Sequence, residues 1–165
     1  MGVRLQLDNE YWFYLMKMFG NKQKFVDEVE DILLESGKML NTALKESIEN
    51  SPRISPEAQQ KFIDSLDVKT SYKSDSRISV DAGFLFEKYD SKNPATGVKA
   101  LWLNYGNKEL RHTSDGENRG MIWPSNFVKR ARDKVAKSVH EMQVKRVDRY
   151  LQGTGYNPKN EGAIK

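Results

Sequence analysis

Near residue 66 the hydrophobic period changes from the helical repeat of about 3.6 residues to the strand repeat of about 2, so one class of secondary structure cannot serve the whole chain. Before that point, Phe25, Val29, Ile32/Leu33, Ser36, Leu40, Leu44 and Ile48 recur at three- and four-residue steps, which predicts one long helix from Lys22 to Asn50. Asn21 is placed to cap it, and Asp27, Glu28, Glu30 and Asp31 sit near its start, where the helix dipole favours negative charge. Ser51-Pro52 ends it, because a residue before proline is pushed out of helical backbone. Ser55-Pro56-Glu57 supplies an N-cap, a first-position proline and an acidic first turn for a short helix over about Pro56 to Ser65.

After the change of period, Leu66, Val68, Thr70 and Tyr72 alternate with polar residues. Lys73 to Ser76 is turn-forming, and Ile78, Val80 and Ala82 alternate again. This pattern predicts a β-hairpin, its second strand extended by Phe84 to Phe86. Asp90 to Gly97 is a turn by composition. Ala100 to Tyr105 is rich in strand formers and is read as a third strand. Gly106 to Met121 is a basic, glycine-containing loop, longer than ordinary connections. A second long helix follows Pro124-Ser125 and runs to about Gln152, with Phe127, Ala131, Val135, Val139 and Met142 as its apolar stripe. At the other end of the chain, Glu10 to Phe19 is an aromatic segment, apolar nearly all round, read as a short helix. The expected fold is therefore α+β, with two long helices packed on a small, mainly antiparallel β-sheet and a short aromatic N-terminal helix. One domain covers residues 1–152, and 153–165 form a flexible tail.

The far end of the last helix is irregular. Val144, Val147 and Leu151 project on a different side from the earlier stripe, while Arg146 and Arg149 fall where it would continue. That displacement predicts that the helix end leaves the domain's own core and meets another chain. The interface residues on this reading are Val144, Val147 and Leu151, with Tyr11, Trp12, Leu15 and Phe19 of the aromatic segment.

Charge is unevenly distributed. Residues 1–52 sum to −3, 53–123 to +1, 124–152 to +5 and the tail to +1. A helix with a carboxylate surplus and one with a cation surplus are expected to pair, within or between subunits. The basic residues also admit an alternative function, a nucleic-acid-binding module, because Trp102, Tyr105 and Trp123 border the basic loop and offer stacking surfaces.

Little in the sequence points to catalysis, a metal or a cofactor, and none is expected. The chain has no cysteine, which removes disulfides and thiolate metal sites. Its histidines, His112 and His140, lack a partner at ligand spacing, and Asp64 and Asp67 read as boundary residues. The apolar run Tyr11 to Phe19 is broken by Lys17 and too short to span a bilayer, which needs about 20 residues. Asp8 and Glu10 argue against a secretory signal, and Gln6 against N-terminal acylation.

Several local motifs carry a resemblance. Leu103-Asn104-Tyr105-Gly106, the Arg119-Gly120 pair, and Asn126-Phe127 with Ala131 resemble the tyrosine-glycine strand end, loop and helix start of a tail-component family of long-tailed bacteriophages. The likeness covers about residues 25–151. The family's threonine-glycine before the hairpin is missing from the passage Ser51 to Ala58, and the aromatic N-terminal segment is additional. The resemblance implies a structural virion protein, made in the host cytoplasm and placed in the tail or neck, that acts in tail completion or head–tail joining. It implies homo-oligomeric assembly with the tail terminator, the head-closure protein or the tape measure protein. In a ring around DNA, loop residues Lys108, Arg111 and Arg119 would face the lumen and make non-specific DNA contact.

Overall fold

The computed structural model describes residues 3–6, 22–74, 77–84, 96–106 and 121–153. Along the chain these form β1 (Val3–Gln6), α1 (Lys22–Glu49), α2 (Pro56–Asp64), β2 (Leu66–Lys73), β3 (Ile78–Phe84), α3 (Thr96–Tyr105) and α4 (Phe127–Gly153). The architecture is α+β. Two long helices lie side by side, and one of them, α1, also covers a three-stranded antiparallel sheet of order β1-β3-β2. The segment expected as an aromatic N-terminal helix lies outside the described residues, as do Leu85-Phe86, most of the basic loop and the tail beyond Gly153.

One of the expectations fails here. Ala100 to Tyr105 is the second half of helix α3, not a strand. Ala100 and Asn104, one helical turn apart, are both buried, while Trp102 and Tyr105 face out. Alternation cannot produce that distribution. The third strand comes instead from Val3–Gln6, which pairs antiparallel with β3 (Leu5 opposite Val80). Four residues are too few for a periodic signal, so the sequence pattern passes over them.

The hairpin forms as expected, with a correction at Tyr72. Thr70 pairs with Val80, but Tyr72 pairs with Ser79 and Lys73 with Ile78, so the register slips at Ser71. A one-residue slip turns the following side chains to the opposite face. Tyr72 is therefore exposed, and Lys73 shares the α1 side of the sheet with Ile78.

α1 is buried along two sides. Toward its start, Phe25, Val26, Val29 and Leu33 pack with Ile78 and Val80 of the sheet. Toward its end, Leu40, Ala43, Leu44 and Ile48 pack with Phe62, Ala82, Phe84, Ala100, Phe127 and Ala131. Phe84 links this cluster through edge-on ring contacts, 6.2 Å to Phe62 and 6.0 Å to Phe127. α2 enters as predicted, with the Ser55 hydroxyl accepting from the Ala58 N–H at 3.4 Å and Pro56 at the first helical position. At the middle of α1, Ser36 and Gly37 are small and buried. A Cβ on Gly37 would lie 2.6 Å from Val68 Cγ1 and 3.3 Å from Ala82 Cβ, so this glycine sets how closely helix and sheet approach.

That spacing makes Gly37→Ala destabilising, although alanine is the better helix former by about 1 kcal/mol. The stiff, β-branched Val68 cannot yield cheaply, and overpacking costs about 1–3 kcal/mol. Urea denaturation should show a lower midpoint for Gly37→Ala, with partial recovery when Val68→Ala is added. A midpoint above that of the parent chain would refute the packing argument.

Candidate interaction surface

The most built-up polar arrangement joins the end of α3 to the start of α4. Gly106 terminates α3 with a left-handed backbone (φ +73°), its N–H bonded to the Trp102 carbonyl at 2.8 Å. A side chain could not replace it, since a Cβ there would lie 2.5 Å from the Ile122 carbonyl oxygen and 2.8 Å from the Pro124 nitrogen. The returning chain satisfies carbonyls that α3 leaves open. Ser125 donates to the Leu103 carbonyl through both its N–H (3.0 Å) and its hydroxyl (2.7 Å), and the Asn126 N–H donates to the Asn104 carbonyl at 3.1 Å. In the other direction, buried Asn104 accepts the Val128 N–H at 2.9 Å and so caps α4 from a different helix. Asn126 holds a left-handed backbone at the junction (φ +53°).

Arg130 then ties α4 to the end of α1. Its guanidinium donates to the Ser51 hydroxyl at 2.6 Å and the Ser47 carbonyl at 3.2 Å, and it also contacts the Ser125 carbonyl. Arg53 donates to the Pro124 carbonyl at 3.2 Å. Between these two arginines lies a recess of about 270 Å³, lined also by Ser51, Pro52, Pro124, Ser125 and Asn126.

Large apolar side chains stand on the outside of this framework. Trp102 is 47% exposed, Tyr105 62%, Met121 46% and Trp123 65%. Soluble chains seldom leave several such groups at one corner without a partner. The described segments that build the corner (51–53, 97–106 and 121–130) contain Arg53, Lys99, Lys129 and Arg130 and not one carboxylate.

Of the residues singled out by resemblance, Leu103, Asn104, Tyr105, Gly106, Asn126, Phe127 and Ala131 converge at this corner, with Phe127 and Ala131 fully buried beneath it. The Leu103–Gly106 motif is a helix end here, not a strand end. Arg119, Gly120, Lys108, Arg111 and His112 lie outside the described residues, as do Tyr11, Trp12, Leu15 and Phe19. Pattern reading noticed the aromatic rings, and Arg130 only as one of the basic residues of the long helix, but gave Arg53 and Met121 no role. The available signal was the lack of any Asp or Glu from 121 to 130.

The last helix departs from expectation as well. α4 stays against α1 to its end, running antiparallel. Ser47 donates to the Phe127 carbonyl, Gln143 donates to Ser36 at 2.9 Å, and the Tyr150 ring packs edge-on with Phe25 at 5.5 Å. Arg146, which stands where the apolar stripe would continue, faces α1 and bonds Glu28 at 2.8 Å and Glu35 at 3.0 Å. Lys134 contacts Glu46. The seam changes from apolar to ionic without separating, and the opposite charges pair within one subunit. Val144 is exposed and Val147 and Leu151 are half-buried. A shallow hollow of about 570 Å³ beside Val144 is lined by groups of both signs, including Glu141, Lys145, Asp148 and Arg149.

A second ionic group holds α1 to the hairpin. Lys73, turned inward by the bulge, bonds Asp27 at 2.8 Å and Glu30, and Thr70 donates to Glu30 at 2.6 Å. The ammonium holds the Asp27 carboxyl below its ordinary range, helped by Gln23, and Glu30 is lowered by Lys73 and then Thr70. Hydrogen bonds to Asp27 and Glu30 push the Lys73 ammonium well above its usual range. At Arg146 the hydrogen bond to Glu28 is the main cause of an upward shift.

Other polar groups have ordinary roles. Asp67 accepts the Val68 N–H at 2.7 Å, Asp64 accepts from Gln60, and His140 is exposed. Among the described residues, no three His, Cys, Asp or Glu side chains converge to hold a metal ion, and no helix is long and apolar enough to cross a membrane. Comparison with protein-family models, curated proteins and solved structures found no match for the chain.

Removing the cross-helix cap by Asn104→Ala leaves the Val128 N–H without its acceptor and should cost about 1–2 kcal/mol. A parent-like urea midpoint would show that the cap carries no stability. The Lys73 group predicts an acid limb. Its depressed carboxylates stabilise the fold above their ordinary values of 3.8 and 4.5, and that contribution is lost as pH falls through the lower folded values. Urea midpoints measured from pH 6 downward should fall less steeply for Lys73→Met than for the parent; parallel curves would remove the assignment.

Proposed function

We propose that this chain is a non-catalytic structural subunit of a tailed bacteriophage or prophage virion. It acts in tail completion or head–tail joining through protein–protein assembly. The observation that carries the reading is the rigid aromatic corner. Trp102, Tyr105, Met121 and Trp123 are exposed on a backbone fixed by the α3–α4 caps and by Gly106. Exposed tryptophan and tyrosine on a preorganised backbone are the groups that dominate protein interfaces, because little conformational freedom is lost on docking. The sequence likeness adds support, since its motif residues meet at this corner although they are distant along the chain. On this reading the chain forms a homo-oligomer in the tail or neck, contacting a tail terminator, head-closure or tape measure protein. It is made in the bacterial host cytoplasm, and its loop makes non-specific DNA contact.

The second reading is a basic nucleic-acid-binding module, which the cations and rings of the same corner favour. Light scattering on the purified chain separates the two, alone across concentration and mixed with the products of its neighbouring genes. Assembly predicts a defined complex that is lost in the double variant Trp102→Ser, Trp123→Ser. A chain that stays monomeric with every neighbour, yet binds random duplex DNA with steep salt dependence, would reverse the order.

A further inference from the structure

We infer that the aromatic corner docks an acidic segment of a different protein chain, one carboxylate of which enters the recess between Arg53 and Arg130. This rests on the assembly reading and adds the chemistry of the partner.

Charge supplies the first argument. The described segments forming the corner carry four cations and no carboxylate, while the whole chain carries a net charge of only +4. Among the described residues neither Arg53 nor Arg130 has an ion-pair partner, and the bonds seen run to main-chain carbonyls and the Ser51 hydroxyl. Those bonds fix the orientation of both guanidiniums without neutralising them. A planar guanidinium held in place is suited to a carboxylate, which can accept two of its N–H groups in parallel.

The second argument is shape. A recess of about 270 Å³ walled by Pro52 and Pro124 has the size of a side chain. A nucleic-acid backbone asks for an open track of cations along which successive phosphates can lie. Met121, exposed beside the rings, also fits an apolar protein side chain better than a base or a phosphate.

The third argument concerns which chain can supply the acid. Among its described residues a second copy is poorly equipped, because five of the seven carboxylates on its most acidic helix are already committed. Glu28 and Glu35 bond Arg146, Asp27 and Glu30 bond Lys73, and Glu46 meets Lys134. On this inference the carboxylate comes from a different chain, on a segment whose apolar neighbours cover Trp102, Tyr105 and Trp123.

Two-dimensional amide NMR on the isotopically labelled full chain tests this with three probes. These are a blocked peptide of alternating glutamate and leucine, the same peptide with glutamine, and a 20-nucleotide oligothymidine. The glutamate peptide is expected to shift the resonances of Arg53, Ser125, Asn126 and the Trp123 indole. Binding should weaken at least about tenfold with glutamine and likewise with Arg53→Glu, an exposed position whose charge can be reversed without disturbing the core. Equal binding of both peptides, shifts confined to other surfaces, or no shift at millimolar peptide overturns the inference. So does displacement of the peptide by the oligonucleotide from the same residues. Repeating the light-scattering mixture with Arg53→Glu keeps the two readings apart. A complex that survives Arg53→Glu but not the double tryptophan variant preserves assembly and eliminates the acidic partner.

Discussion

α1 must bury two sides at once, one against the sheet and one against α4, and nearly every other feature adjusts to that demand. A helix with a single buried stripe can keep large side chains throughout. One wedged between two layers needs a place where backbone approaches backbone, and Ser36-Gly37 supplies it. Gly37 lets Val68 and Ala82 come close on the sheet side. Ser36, buried on the other side, donates to the Ile32 carbonyl at 2.7 Å and accepts from Gln143. One pair of small residues thus sets both spacings. On either side of it the apolar groups divide into two clusters, one closed by Tyr150 near the start of α1 and one closed by Phe127 near its end.

The electrostatics follow from the same geometry. A helix so rich in carboxylates would repel itself if it stood alone, and wherever α1 meets another element near those groups a cation waits. Arg146 and Lys134 serve from α4, and Lys73 serves from the hairpin. The β-bulge belongs to this scheme, because without the slip at Ser71 the alternation would carry Lys73 away from α1. Most of these pairs are partly exposed, so each contributes modestly to stability. Their larger effect is selective: they set which face of α4 meets α1.

How much of this was legible depended on what a periodic pattern can encode. α1 and α2 could be read because their apolar positions, and the Ser55 cap of α2, are local. Ala100 to Tyr105 was misread because a six-residue apolar run fits strand and helix alike. The deciding facts, Asn104 turned inward to cap α4 and Gly106 closing on Ile122, depend on residues twenty positions away. The end of α4 was misread for a different reason. Periodicity counts apolar side chains, so Arg146 registered as the loss of a contact face when it was the continuation of one in ionic form. β1 is four residues long and is defined by its pairing with β3, a relation no local window contains.

The same reasoning bears on why the corner is built as it is. A loop could display three aromatic rings, but their ordering on contact would then oppose binding. Here the C-terminal end of α3 faces the N-terminal start of α4, so the open carbonyls of one meet the open N–H groups of the other and their dipoles are favourably opposed. Arg130 adds the end of α1 to the same junction, and Arg53 holds Pro124 beside it. Three chain segments are fixed by polar bonds that need no apolar cover. The large apolar side chains nearby are therefore not required for the junction itself. On the proposed reading, their exposure beside a junction held by these bonds is what distinguishes a prepared contact surface from a gap in packing.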